Sequence, residues 1–205
     1  MENSLDNLLA PSLRKSIEEN LGKSALNKIE QRLMERHGMN IIQAIKDFYK
    51  FDSVLREFFG ADADGMETKF LQNIIELSQK KKANDNWIVI QDQDLAKIFL
   101  ESFADKDKKV IIDSVLDESL IIADILERCK VPQTSGYRKI NQLIDSGLLI
   151  SNGFVLASDG KKIKKYQTIF DDVKIDIEKN SIVIRVKLKK NSLSQSAILQ
   201  IIKTK

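Results

Sequence analysis

Cysteine is almost missing from this chain, with Cys129 alone among 205 residues. A lone thiol closes no intramolecular disulfide and builds no thiolate metal cluster, so nothing depends on an oxidising compartment and a reducing cytoplasm is the expected location. Histidine is equally scarce: His37 is the only one, and one imidazole makes no metal site without carboxylate or thiolate partners. Eight glycines and two prolines are sparse punctuation, which favours long helices and hairpins over a loop-rich scaffold. No apolar run approaches the roughly 20 residues that span a bilayer. The start M-E-N-S-L-D-N-L-L lacks the cationic and continuous apolar stretches of a signal peptide, so no membrane association is expected.

Catalytic signatures are missing too: no phosphate-cradling Gly loop, no G-x-S-x-G elbow and no H-E-x-x-H helix. Any acid–base or nucleophilic scheme would rest on carboxylates and lysines alone. The expectation is a protein that is not an enzyme, with no catalytic residue, no metal and no cofactor. The stretch from Asp62 to Glu67 invites comparison with a calcium loop. It fails, because Glu67 and Asn73 stand at the sixth and twelfth positions, where that loop needs Gly and Glu.

What is present is charge, unevenly spread. The net charge is +3, yet residues 87–127 hold four basic against ten acidic side chains, and residues 128–165 hold eight against two. The positive excess begins at Arg128, and an excess of that sign points to an anionic partner.

Apolar spacing gives the organisation. Residues 12–82 read as helical: a helix capped at Ser24 carries Leu26, Ile29, Leu33 and Met34 and ends at His37-Gly38. Shorter segments follow at 41–49 and 54–59, Gly60 to Gly65 breaks the pattern, and a helix spans 66–80. Lys80 to Asn86 is the linker candidate. Trp87 to Ile90 is a strand or an extended docking segment, and 92–103 returns to helical spacing. From Asp105 three helices follow. Val110, Ile111, Ser114 and Val115 line the first, Ile122, Ile125, Leu126 and Cys129 the second, and Ile140, Leu143 and Ile144 the third, which begins near Pro132 and stops at Gly147. Strands at 148–151 and 154–157 lead into the turn Ser158-Asp159-Gly160-Lys161. Clean alternation at Val173, Ile175 and Ile177, and again at Ile182, Ile184, Val186 and Leu188, marks an antiparallel hairpin around Lys179-Asn180 with one apolar face. Residues 193–202 form a short helix or strand.

Residues 105–170 resemble the winged helix-turn-helix regulators of the ArsR-like kind, in their archaeal versions, through Pro132, Ser135, Tyr137, Arg138, Lys139, Ile140, Leu143, Gly147, Leu148, Leu149, Asp159, Gly160, Lys161, Lys162 and Tyr166. Residues 12–77 resemble the Nitrosopumilus output domain of type 5, a helical module of archaeal signalling chains, through L-G-K-S-A-L-N-K-I-E-Q-R-L-M-E-R-H-G-M. Together these imply a mainly α fold with small antiparallel β: an N-terminal helical bundle plus a winged helix-turn-helix with a C-terminal β-hairpin. The implied units are 1–82, a helical signalling or interaction module; 83–104, a linker and connecting helix; 105–170, the DNA-binding domain; and 171–205, the hairpin and a terminal helix.

The function this implies is sequence-specific transcription regulation on double-stranded DNA, by a homodimer whose N-terminal module meets a protein partner. Gln133, Thr134, Ser135, Tyr137, Arg138 and Lys139 stand where a recognition helix enters the major groove. Arg138 suits guanine and Gln133 adenine. The plainer alternative has Gln133 and Thr134 capping the helix and Arg138 meeting phosphate alone. Lys161, Lys162, Lys164 and Lys165 on the wing would meet phosphates, or serve as a solvated edge that blocks strand pairing. Gly136 replaces the small apolar side chain usual at its position, at about 1 kcal/mol of helix stability, which suggests a mobile helix start without DNA. An adaptor using the winged fold for protein contacts is the competing function.

Overall fold

The structure, a computed structural model, describes residues 4–77, 86–179, 181–196 and 198–199. It is helix-rich with small antiparallel sheets. Residues 80–85 of the expected linker at 80–86, the end of the 66–80 helix, Asn180 of the hairpin turn, and residues 197 and 200–202 of the expected terminal segment lie outside the described residues. Among the described residues no helix is long and apolar enough to cross a membrane.

The first helix, α1 (Ser4–Leu21), starts before the helical region read from the sequence and carries Pro11 inside it. Pro11 is exposed, so water can take the carbonyl that its missing N–H leaves unpaired. The rest of the helix is unusually buried: Leu5, Leu8, Leu9, Ala10, Leu13 and Ile17 are core residues, and Asp6, Ser12 and Ser16 are buried with them. Helices α2 (Lys23–His37), α3 (Ile41–Lys46), α4 (Phe48–Phe59) and α5 (Ala63–Gln72) complete a bundle around it. α2 ends as its sequence indicates, with Gly38 left-handed and its N–H bonded to the Met34 carbonyl. It begins at Lys23 after Gly22, so Ser24 is not the cap.

The helix expected over 66–80 is instead α5, beginning at Ala63 within the expected break, followed by β1 (Ile75–Leu77). Ile74, Ile75 and Leu77 suit a helical stripe and a short buried strand equally well; the partner decides, since Ile75 pairs with Ile90 of β2 (Trp87–Ile90). That strand joins β7 (Ser181–Leu188), which pairs with β6 (Phe170–Glu178), giving a four-stranded antiparallel sheet in the order β1-β2-β7-β6. Its apolar side, with Ile88, Ile90, Ile184, Val186 and Leu188 buried, packs on α6 (Gln93–Ala104), where Phe99 and Phe103 meet Phe170 at 6.0 and 6.1 Å between ring centres.

The remaining elements are α7 (Lys106–Ser114), β3 (Leu120–Ile121), α8 (Ile122–Cys129), α9 (Gln133–Asp145), β4 (Leu149–Leu156) and β5 (Lys162–Thr168), with a second sheet ordered β3-β5-β4. The two expected strands at 148–151 and 154–157 are one, β4, kinked by a bulge between Ser151 and Phe154 where Gly153 takes φ 84°. α7 buries Ile111, Ile112 and Val115, while Val110 is exposed. β5 passes into β6 with only Ile169 between them, so one extended segment serves both sheets. A short helix α10 (Lys190–Gln195) follows β7.

One contiguous apolar core runs from Leu5 through Phe51, Phe99 and Leu143 to Leu188 and Leu199. Polar bonds fix α1 within it. Ser12 donates to Asp92, the N-cap of α6, at 2.7 Å; Ser16 donates to the Phe70 carbonyl at 2.9 Å; Ser196 donates to buried Asp6 at 2.5 Å. Gly147, which ends α9 at φ +79°, lies against the same helix: an added Cβ would stand 2.9 Å from the Leu8 amide nitrogen and 3.1 Å from its Cα.

Two glycines therefore separate strain from packing. Gly147→Ala adds left-handed strain of about 1 to 2 kcal/mol and a collision with rigid backbone, and should lower stability by roughly 2 to 4 kcal/mol. Gly160→Ala, at φ +80° in open space, should cost only the strain. Urea unfolding of both variants checks this, and equal losses would show that the Leu8 contact contributes nothing.

Candidate nucleic-acid interface

α8 and α9 are joined by Lys130, Val131 and Pro132. Lys130 takes the left-handed conformation (φ 52°) that ends α8, Val131 is buried, and Pro132 stands as the N-cap of α9. A three-residue turn of this kind sets two helices across one another. Gly136, Ile140 and Leu143 face inward. The expected looseness at Gly136 has a packing explanation instead: an added Cβ would overlap Leu126 Cδ2 and come within 3.3 Å of Val131 Cγ1. Gly136 lets α9 sit close on α8.

The opposite face of α9 opens with Gln133, Thr134, Tyr137 and Arg138, all exposed, with Tyr137 at 45%. No side chain caps the helix N-terminus, so Gln133 and Thr134 are not spent as caps, and first-turn N–H groups remain available to solvent or an anion. Ser135 is half-buried and its hydroxyl donates to the Pro132 carbonyl at 3.1 Å. Arg138 has no ion pair among the described residues. Asn141 and Gln142 extend the exposed face by a turn. They went unnoticed in the sequence, although their spacing of four from Tyr137 and Arg138 could have found them.

Lys139 is engaged elsewhere. Its ammonium lies 2.7 Å from Asp105 and 2.9 Å from Asp107, with the side chain only 15% exposed. Asp105 is also the N-cap of α7, accepting from the Asp107 and Lys108 amides at 3.0 Å. The Lys139 hydrogen bond and these amides hold the Asp105 carboxyl below its ordinary range, and the two carboxylates raise the Lys139 ammonium above its own. This lysine, expected at the DNA surface, clamps α9 to α7. Arg128, where the positive excess begins, is likewise paired with Glu118 at 2.5 Å.

The β4–β5 hairpin closes through a turn in which the Ala157 amide donates to the Lys161 carbonyl at 2.9 Å and the Lys161 amide donates to Asp159 at 3.0 Å. The register divides the four lysines. Leu156 opposes Lys162 and Phe154 opposes Lys164, so these four share one face, and the Lys162 ammonium sits 4.6 Å from the centre of the Phe154 ring. Lys165 lies on the other face with Ile163, and Lys161 pairs with Asp159 at 2.9 Å. Lys164 and Lys165 have no ion pair among the described residues. Exposed Phe154 and Leu156, at 52% and 66%, make the hairpin both cationic and apolar.

Cys129, expected to be buried, is half-buried, with its thiol donating to the Val110 carbonyl at 3.5 Å. His37 ends α2, its Nε2 3.5 Å from the Ser53 hydroxyl.

A second group of charged residues lies in the N-terminal bundle. Asp52, Asp64 and Glu67 bring carboxylate oxygens within 4.8 Å of one another. The cation among them is Arg56, which donates to Asp52 at 2.8 and 3.0 Å and also to Asp64. Glu67 is 3% exposed. Burial, a hydrogen bond to Asp52 and the Asp52 charge push its carboxyl up to about 8, so at neutral pH it is a neutral acid. Its Oε1 has no hydrogen-bond partner among the described residues, which a neutral acid tolerates better than a carboxylate.

Comparison with family models, curated proteins and solved structures finds no match to this chain.

Two measurements test these assignments. Glu67 is protonated in the folded state and ionised in the unfolded chain above about 4.5. Its contribution to stability is thus complete below pH 4.5 and lost as pH rises to about 8, at up to about 1.4 kcal/mol per pH unit. Glu67→Gln should flatten that decline in urea unfolding at pH 5, 6.5 and 8; an unchanged slope would assign it to other groups. Lys139→Met leaves Asp105 and Asp107 without their cation and should lower the urea midpoint of unfolding, with the salt dependence of any DNA binding unchanged. A reduced salt slope with unaltered stability would return Lys139 to the binding surface.

Proposed function

We propose that this chain is a winged helix-turn-helix transcription regulator of the ArsR-like kind that binds double-stranded DNA sequence-specifically, as a homodimer in the cytoplasm, and acts by binding rather than catalysis. The observation that carries the reading is α9: a helix with an uncapped N-terminus, set by a three-residue turn, exposing Gln133, Thr134, Tyr137 and Arg138 together. Polar side chains clustered at such a helix start reach base edges when the helix lies in the major groove. The order helix, strand, helix, helix, hairpin with sheet order β3-β5-β4 supports calling the β4–β5 hairpin a wing. Lys164 and Lys165 have no carboxylate competing for them, and phosphate contact is the usual source of affinity. On this reading Arg138 reads guanine, Gln133 or Asn141 reads adenine, and the N-terminal helices present a surface to a protein partner.

One observation favours a second reading. The exposed Phe154 and Leu156 at the hairpin suit a protein contact better than a phosphate, as an adaptor would require. Fluorescence titration of duplex DNA at two salt concentrations separates the readings, because an adaptor shows no salt-dependent binding. On the regulator reading, Arg138→Ala should lose about 1 to 3 kcal/mol at one base pair of the preferred site. Lys164→Ala should weaken all sequences alike and reduce the salt slope by about one unit. Equal loss of specific and nonspecific affinity in the Arg138 variant would contradict base reading.

A further inference from the structure

The far end of the β4–β5 hairpin is a two-stranded ribbon with water on both faces. β3 reaches only its base, pairing Leu120 with Tyr166 and Ile121 with Lys165, and beyond that point every residue of 154–156 and 161–164 is exposed. Four of them are large and apolar: Phe154, Val155, Leu156 and Ile163, at 52, 37, 66 and 40% exposure. None belongs to the core, and an exposed apolar cluster of this kind marks a surface that a partner covers.

Charge identifies the partner. Residues 154–165 hold four lysines and one acid. That acid, Asp159, accepts from the Lys161 ammonium at 2.9 Å and the Lys161 amide at 3.0 Å, so the turn presents no free negative charge and the other three lysines are in excess. They flank the apolar residues instead of segregating from them. Lys162 and Lys164 stand across from Leu156 and Phe154 on one face; Lys165 lies on the other, the side of the Val155–Ile163 pair. The Lys162 contact with the Phe154 ring leaves its charge intact. A membrane surface asks for one apolar and one cationic face, and a groove on another protein has no need of cations on both faces. A DNA minor groove meets both features: it has a phosphate wall on each side, about 6 Å apart, and base steps between which an apolar side chain can insert.

We propose that this ribbon enters a minor groove, where Leu156 wedges into a base step and bends the duplex while Lys162, Lys164 and Lys165 meet the phosphates of the two strands. Leu156 is the wedge because it is the most exposed of the four apolar residues and the last of β4 before the turn, with Phe154 behind it on the same face. The inference rests on the regulator reading and deepens it. It turns Phe154 and Leu156 from a protein contact into part of the DNA surface, and adds a preference for deformable pyrimidine–purine steps to the base reading by α9.

The test uses the full chain and a duplex selected from a random library, labelled at both ends for energy transfer and carrying 2-aminopurine at successive positions. The protein should bend this duplex by at least about 20° and raise 2-aminopurine emission at one step, and netropsin, which fills the minor groove, should suppress both. Leu156→Ala should abolish the bend and the emission change with unaltered circular dichroism, and Leu156→Met should restore them. A straight complex, a bend that survives Leu156→Ala, or indifference to netropsin overturns the wedge, and salt-dependent binding in those cases leaves the regulator reading standing. Absence of salt-dependent duplex binding overturns both; Leu156-dependent sedimentation with phosphatidylserine vesicles would then assign the ribbon to a membrane.

Discussion

Burial of α1 is the constraint on which the rest of the structure depends. A surface helix ordinarily keeps an apolar stripe on one side, but α1 hides Leu5, Leu8, Leu9, Ala10, Leu13 and Ile17 together with Asp6, Ser12 and Ser16. It touches α2, α3, α5, α6 and α10, and the turn at Gly147. Polar groups at such depth are expensive unless bonded, and each goes to a different element: Ser12 to the start of α6, Ser16 to the end of α5, Asp6 to Ser196 after α10. The N-terminal bundle and the helices from α7 onward thus share one core. A change at the bundle has a short physical route to α9, through Leu8 and Gly147.

The second organising feature is the segment from Lys162 to Glu178. It is the central strand of one sheet, as an arm of the hairpin, and an edge strand of the other, turning from one to the other at Ile169. Three backbone bonds hold that crossing: the Thr168 amide to Val115, the Ile169 amide to Leu148, and the Lys189 amide to Ile169. The proposed DNA-facing hairpin and the edge strand β6 are therefore successive stretches of one chain segment, so their relative placement is set by covalent geometry rather than by loops.

Local chemistry was legible in the sequence, and distant partners were not. Gly38 ending α2, Gly147 ending α9, Asp159-Gly160 turning the hairpin and the alternation of β6 and β7 each follow from backbone angles or side-chain period. β1 escaped because Ile74, Ile75 and Leu77 fit either period until β2 is known to lie beside them. α1 extends back to Ser4, beyond the helical region read from residue 12, because the exposed position of Pro11 lets the helix run through it. In the site, exposure along α9 followed from spacing. Lys139 did not, because Asp105 and Asp107 lie more than thirty residues away, and Gly136 looked like a defect because Leu126 of α8 was not yet its neighbour. Counting charges by segment likewise overstated the free positive charge, since Arg128, Lys139 and Lys161 are each paired with carboxylates.

The central claim is that one face of α9 and the β4–β5 hairpin form a DNA-binding surface. Amide hydrogen exchange of the full chain, with and without duplex DNA selected from a random library, tests it most directly. The account predicts added protection at Gln133 to Gln142 and at Ala157 to Lys165, decreasing together as salt rises. Unchanged exchange in both segments, or protection confined to the N-terminal bundle, would contradict it.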